Sequence, residues 1–192
     1  RKICDEENII LIFDEIYSGW CKTGKTFYFL NFKNLTPDIL TSSKSLGGGK
    51  SSISCYTCKK KIFNRSYNNL KDATLHSTTY NAFGEETITA IEALNIIREE
   101  NFEEKSIKAG KLIHSKLIKL KNKFSEVILD HRGSGCLQGI IINTSKLDKF
   151  MKPVINLIPI SFLKDEQAVK KIIVSSIIFH LYEKHNILTY YG

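Results

Sequence analysis

Hydrophobic and polar positions follow two different periods along the chain. Asn8 to Phe13 is almost continuously apolar, rich in isoleucine and bounded by acidic residues, the pattern of a parallel strand covered on both faces. Leu35 to Thr41 begins with the turn signal Thr36-Pro37-Asp38 and predicts a second short strand, followed by Ser42 to Leu46 and then Gly47, Gly48 and Gly49. Ile53 to Cys55 and Ala73 to Leu75 read as weaker strands, separated by a short helix near Lys59 to Arg65. Beyond Gly84 the period lengthens. Ile88, Ile91, Leu94 (or Ala93) and Ile97 recur at helical spacing, and Ile113, Leu117, Leu120 and Phe124 mark one face of a further helix. Glu126 to Leu129 and Leu137 to Ile142 predict strands around the turn Arg132-Gly133-Ser134-Gly135. Asp165 to His185 predicts an amphipathic helix carrying Val169, Ile172, Ile173, Ser176, Ile177 and Leu181. No internal repeat or low-complexity segment interrupts this order, which implies an α/β chain with a change of domain near residue 100, giving 1–100 and 101–192.

Composition adds exclusions. The chain has 192 residues, 42% of them hydrophobic, an ordinary globular balance that rules out disorder and fibrous repeats. Lys and Arg outnumber Asp and Glu by 28 to 20, a net charge of +8, which raises the question of a nucleic-acid partner. Lys108, Lys111, Lys116, Lys119, Lys121 and Lys123 interleave with the apolar helix positions and so fall on its solvated side; no nucleic acid is expected. Lys59, Lys60 and Lys61 read the same way. The apolar runs Ile9–Phe13 and Ile172–Val174 are far shorter than the ~20 residues a membrane helix needs, so no membrane partner is expected. Arg1 is not an initiator methionine, and the residues after it lack a signal peptide's apolar core, so the sequence reads as an internal piece of a longer protein. Five cysteines form no framework and favour reduced thiols in the cytosol or an organelle. Cys55-x-x-Cys58 has no second pair at zinc spacing and no thioredoxin-like surroundings, and reads as two ordinary thiols.

The most informative position is Lys44, at the end of a predicted strand and just before three glycines. Glycines allow a bulky ligand to approach the backbone closely, and a partly desolvated lysine becomes a nucleophilic amine able to form a Schiff base. Taken alone, a solvated lysine before a flexible loop is the simpler reading. Asp14 closes the first strand, at the kind of sheet edge where open α/β folds bind ligands. Thirty positions separate Asp14 from Lys44, enough for a crossover that brings both to one edge of a sheet.

Three separated motifs decide between these readings. Leu11-Ile-Phe-Asp-Glu-Ile-Tyr-Ser-Gly-Trp-Cys-Lys-Thr-Gly-Lys25, Pro37-Asp-Ile-Leu-Thr-Ser-Ser-Lys-Ser-Leu-Gly-Gly-Gly49 and His76-Ser-Thr-Thr-Tyr80 resemble, in order and spacing, the class III aminotransferases, pyridoxal-phosphate enzymes of fold type I. The resemblance continues through Glu85 to Glu100 into Asp130-His-Arg-Gly-Ser-Gly135 and covers most of the chain to about residue 142. It implies the later part of a large parallel-sheet domain followed by part of a smaller α/β domain.

The resemblance also implies roles. Lys44 would form the Schiff base with pyridoxal 5'-phosphate and then serve as the base that moves the substrate proton. Asp14 would keep the pyridine nitrogen protonated. Ile16 falls where the family packs a branched side chain on the ring, and Thr79 where a threonine reaches the phosphate across a homodimer interface. Tyr17 stands in place of the usual glutamine near the ring hydroxyl, Lys22 in place of a common arginine, and Phe83-Gly84-Glu85-Glu86 where many members have Asn-Pro, which marks a divergent branch. Arg132 is read as ordering its turn. The glycine-rich phosphate loop and a carboxylate-binding arginine segment are not found. The implied substrates are a small-molecule amino donor, an ornithine-like or omega-amino compound, and a 2-oxo acid. Decarboxylation or amino migration with the same cofactor, and a truncated noncatalytic partner chain, are the alternatives.

Overall fold

The computed structural model describes residues 1–145 and 165–191. It divides into two compact units, residues 1–114 with 133–138, and residues 115–132 with the described part of 139–191. The expected boundary near residue 100 falls within the first unit, and residues 146–164 of the expected second domain lie outside the described residues.

In the first unit a short helix, α1 (Lys2–Glu6), leads into β1 (Ile12–Asp14). β1 pairs in parallel with β2 (Ile39–Ser42), with Asp14 opposite Thr41, and β2 pairs antiparallel with β3 (Cys55–Cys58). The sheet is therefore mixed. Its first strand is shorter than the apolar run 8–13 and is not covered on both faces: Ile9, Ile10 and Ile12 are 52–56% exposed. β3 falls slightly later than the predicted 53–55. The strand expected at 73–75 is instead the end of a 3-10 turn, Leu70–Thr74, closed by a reciprocal Asn69–Asp72 capping box, a local polar signal that outweighs three weakly apolar residues.

The short helix read near 59–65 is α2 (Lys60–Ser66), and the helical period beyond Gly84 is α3 (Gly84–Glu99). Its packed face matches the predicted one only in its second half, where Ala93 is buried and Leu94 and Ile97 are half-buried. Ala90 and Ala93 are buried, while Ile88 and Ile91 are exposed. Small residues are needed there because the turn Lys44–Gly47 packs against α3, and a Cβ on Gly48 would lie 3.0 Å from the Ala93 Cβ. The lysine-flanked helix is α4 (Phe102–Lys123), in which Ser106 and Gly110 are buried while Ile113 and Leu120, like Phe124 just after it, stay partly exposed.

The strands β4 (Ile128–Ser134) and β5 (Leu137–Ile142) form the expected hairpin, whose tip, 133–138, belongs to the first unit. There Gly135 has φ +54°, and a Cβ on it would come within 2.4 Å of the Thr23 backbone. In the second unit, Arg132 pairs with Asp130 at 2.8 Å. That bond, the His131 amide and Lys121 hold the Asp130 carboxyl down at about 2. The last helix, α5 (Glu166–His185), starts at Asp165, whose side chain accepts a hydrogen bond from the Gln167 amide. It ends at Asn186 in the left-handed region and packs Val169, Ile173 and Ile177 together. Among the described residues no helix is long and apolar enough to cross a membrane.

Candidate active site

The carboxyl ends of β1 and β2 form one edge because the two strands run parallel with Asp14 opposite Thr41. The start of this pair is pinned by Asp38, a buried carboxylate. It accepts from the Leu11 amide at 2.9 Å, from Arg1 at 2.6 Å and from Lys59 at 2.7 Å. The Leu11 N–H and the two cations hold its carboxyl well below the usual range. The Glu15 amide donates to the Thr41 carbonyl at 3.0 Å and carries the pairing one step past Asp14.

After the strand end, Glu15 organises the loop. It is 3% exposed, and its carboxylate accepts from Ser18 Oγ at 2.6 Å and from the amides of Tyr28 and Phe29 at 2.8 and 2.9 Å. A charge taken out of water survives only when paired in this way. Glu103 of α4 holds the next loop through the Thr26 amide and hydroxyl at 2.7 and 2.8 Å, bonds that draw its carboxyl down. Sequence patterning did not single out either residue, because bonds to backbone amides of a loop leave no periodic signal.

Lys44 is placed by β2 and by the residues on either side of it. Ser42 is buried with its Oγ 3.2 Å from Cys55 Sγ, Ser43 Oγ donates to the Ile53 carbonyl at 2.8 Å, and Leu46 is buried under the turn. Lys44 itself has φ +49°, a left-handed conformation costly for a residue with a Cβ. Its ammonium sits over the Tyr17 ring, 4.2 Å from the centroid. Tyr17 is thus in reach of Lys44. Asp14 lies one strand away at the same edge; one of its oxygens accepts from the Ile16 amide at 3.0 Å, and the other has no hydrogen-bond partner among the described residues.

Ile16, Thr41 and Ser42 line a cleft of about 1010 Å³ that continues along Ser52 to Tyr56 and the segment from His76 to Thr87. Thr41 Oγ1 is buried without a hydrogen-bond partner among the described residues. The orphaned Thr41 hydroxyl offers a polar ligand one partner in this wall, whereas Lys44 and Asp14, the residues that would hold the aldehyde and the ring nitrogen of pyridoxal 5'-phosphate, are not among the cleft's lining residues. Thr79 stands apart. It is exposed in the turn after Leu75, and its neighbours Thr78 and Tyr80, not Thr79, line the cleft.

Two further groups border the same cleft without a sequence forecast. Tyr56 stacks on His76 with 5.1 Å between ring centroids, and Tyr67 Oη bridges them, 3.0 Å from Tyr56 Oη and 3.3 Å from His76 Nδ1. The bond to Tyr67 and partial burial push the Tyr56 phenol up. The second group is Glu86, in the first turn of α3, with Oε2 buried. Cys55 and Cys58, three apart on β3, point to opposite faces and cannot share one metal ion or one small redox centre. Burial pushes the Cys21 thiol up, away from the reactive thiolate.

The first unit is a mixed α/β structure, and comparison with known proteins gives its class. The aminotransferase class-III family profile matches residues 1–165, so the chain belongs to that family. An ornithine aminotransferase of Emericella nidulans is 32% identical over 146 residues, covering 76% of this chain and 30% of that protein. Among solved structures, an S-selective transaminase from Arthrobacter sp. with alanine bound superposes with a TM-score of 0.69 at 26% identity, over 77% of this chain and 30% of the other. The acetylornithine aminotransferase of Elizabethkingia anophelis gives 0.66 at 26% identity, over 81% and 38%. The chain spans about three-tenths of the length of the curated relatives it matches.

Proposed function

We propose that the protein transfers an amino group from an amine or amino acid to a 2-oxo acid, with Lys44 and Asp14 as its catalytic pair. The observation that supports this reading is the parallel register of β1 and β2, which sets Asp14 opposite Thr41, three residues before Lys44. Pyridoxal 5'-phosphate, when bound, supplies a carbonyl for an amine and a ring that accepts electrons. Lys44 Nζ would be the amine that holds that carbonyl and, when free, the base that would move the substrate Cα proton to the carbon on the other side of the shared nitrogen. The open oxygen of Asp14 would keep a proton on the ring nitrogen, since a neighbouring negative charge favours the cationic form. Ile16, in the cleft wall, would support a ring face, and the Tyr17 ring lies under the Lys44 ammonium.

Thr79 is assigned to the phosphate of a second copy in a homodimer; its exposure outside its own cleft supports that role. The names of the relatives support an ornithine-like donor. Free thiols at all five cysteines support a cytosolic or organellar setting. The test incubates the full-length protein with an amino donor and a 2-oxo acid and measures both products. Transamination requires consumption of the oxo acid in equal amount to the donor; carbon dioxide release or amino migration without an acceptor would replace this reading with the alternatives.

A further inference from the structure

A second cavity, of about 360 Å³, lies wholly within the first unit and shares no lining residue with the cleft at the strand edge. The loop around Gly24, one side of α4 and the hairpin tip wall it. Close backbone approach and long-range hydrogen bonds fix these walls. A Cβ on Gly110 would lie 2.4 Å from the Gly135 carbonyl oxygen. Ser134 Oγ donates to the Thr23 carbonyl at 3.0 Å, and the Cys136 amide and Ser106 Oγ donate to the Lys22 carbonyl at 2.8 and 3.1 Å. A cavity framed in this way exists before any ligand arrives, so filling it carries little ordering cost.

The lining specifies the ligand's charge. Lys25 and Lys111 bring ammonium groups and His114 an imidazole, Asn31 and Gln138 add side-chain amides, and no Asp or Glu is among the described lining residues. Lys25 is partly compensated, since its Nζ lies 3.4 Å from Glu103 Oε2, and Gln138 gives one N–H to the Gly135 carbonyl at 2.8 Å. The Lys111 ammonium has no ion-pair partner among the described residues. Such a set attracts an anion. Donors spread over a loop, a helix and a hairpin suit the three tetrahedrally placed oxygens of a phosphate better than the two coplanar oxygens of a carboxylate.

We infer that this cavity binds the phosphate group of a small phosphorylated molecule, with Lys111 and His114 as its main contacts and Lys25 beside them. The inference does not rest on the amino-transfer reading. The test uses the full-length protein saturated with pyridoxal 5'-phosphate and freed of excess, so that the cofactor's own phosphate place is filled. Calorimetry with glycerol 3-phosphate is expected to show one site per chain, at least roughly tenfold tighter than glycerol or succinate, with the cofactor-derived absorbance unchanged. Inorganic phosphate is expected to compete. Lys111→Gln and His114→Gln, both at exposed positions of α4, each weaken binding about tenfold. Lys108→Gln removes the same charge as Lys111→Gln from a lysine that does not line the cavity, and leaves binding within about twofold. Acetylation of surface amines, read by peptide mass spectrometry, needs no variant: glycerol 3-phosphate slows the labelling of Lys111 and leaves Lys108 unchanged.

Succinate binding as tightly as glycerol 3-phosphate overturns the phosphate assignment. Equal losses in Lys108→Gln and Lys111→Gln overturn it by reducing the site to general surface charge. Release of the cofactor by the probe overturns it by placing the probe in the cofactor's own site. Lys111 labelling that the probe does not slow overturns it even if neither variant folds.

Discussion

Lys44 combines a left-handed backbone, φ +49°, with an ammonium resting on the Tyr17 ring. A side chain held in that region costs roughly 1–2 kcal/mol, and glycine would relieve it at an entropic cost of about 0.5–1 kcal/mol. Lys44→Gly is therefore expected to lose all aminotransferase activity while holding or slightly raising the melting temperature, a separation of function from stability that calorimetry and turnover together read. Asp14→Asn should retain the protein's cofactor-derived near-visible absorbance and slow the proton-transfer step, because an amide carries no charge to hold the ring nitrogen protonated. Rapid mixing with donor reads that step. Lys44, Asp14, Ile16 and Thr79 stand out in the sequence because they fall in the three spaced motifs that resemble the family. Glu15, Thr41 and Glu86 were not, because what distinguishes them is burial and a missing or a backbone partner, which spacing does not report.

At the scale of elements, the active edge depends on how β1 and β2 are tied at their other end. Asp38 makes that tie, and its carboxyl is held low by the Leu11 amide, Lys59 and Arg1. A depressed folded value gives stability that is present in full above the unfolded value of about 3.9 and is lost as pH falls toward the folded one. Asp38→Asn leaves two cations facing a neutral group, and a loss of about 2–4 kcal/mol is expected at pH 7. Denaturant titrations at pH 7 and pH 3 check the sign, since the difference from wild type should shrink at the lower pH. A second tie is steric. A Cβ on Gly110 of α4 would lie 2.4 Å from the Gly135 carbonyl oxygen, so Gly110→Ala is expected to cost about 2–3 kcal/mol, read as a lower melting temperature. The helices and the hairpin were predictable from period and turn residues. The first strand was overextended because isoleucines that stay exposed here look identical, in sequence, to isoleucines covered on both faces. On α3 the sequence pattern missed Ala90 and overrated Ile88 and Ile91 for a related reason: periodicity rewards large residues, whereas the glycine turn packed against the helix requires alanines.

For the whole molecule, the proposed assembly makes each site composite. If Thr79 serves a partner's phosphate, Thr79→Ala should weaken cofactor binding roughly tenfold while leaving Lys44 reactive, from the loss of a hydrogen bond to a charged oxygen. Mixing Thr79→Ala subunits with Lys44→Ala subunits should then restore one complete site per heterodimer; no recovery despite proven subunit exchange would place Thr79 outside any shared site. The central claim, that Lys44 holds the cofactor, has a direct measurement. Borohydride reduction of the full-length protein loaded with pyridoxal 5'-phosphate fixes the group irreversibly to whichever lysine carries it, and peptide mass spectrometry finds that lysine. The label is predicted on the peptide containing Lys44 and is predicted to be absent from Lys44→Ala. A label on another lysine, or an unchanged yield of a single labelled site in Lys44→Ala, would contradict the account.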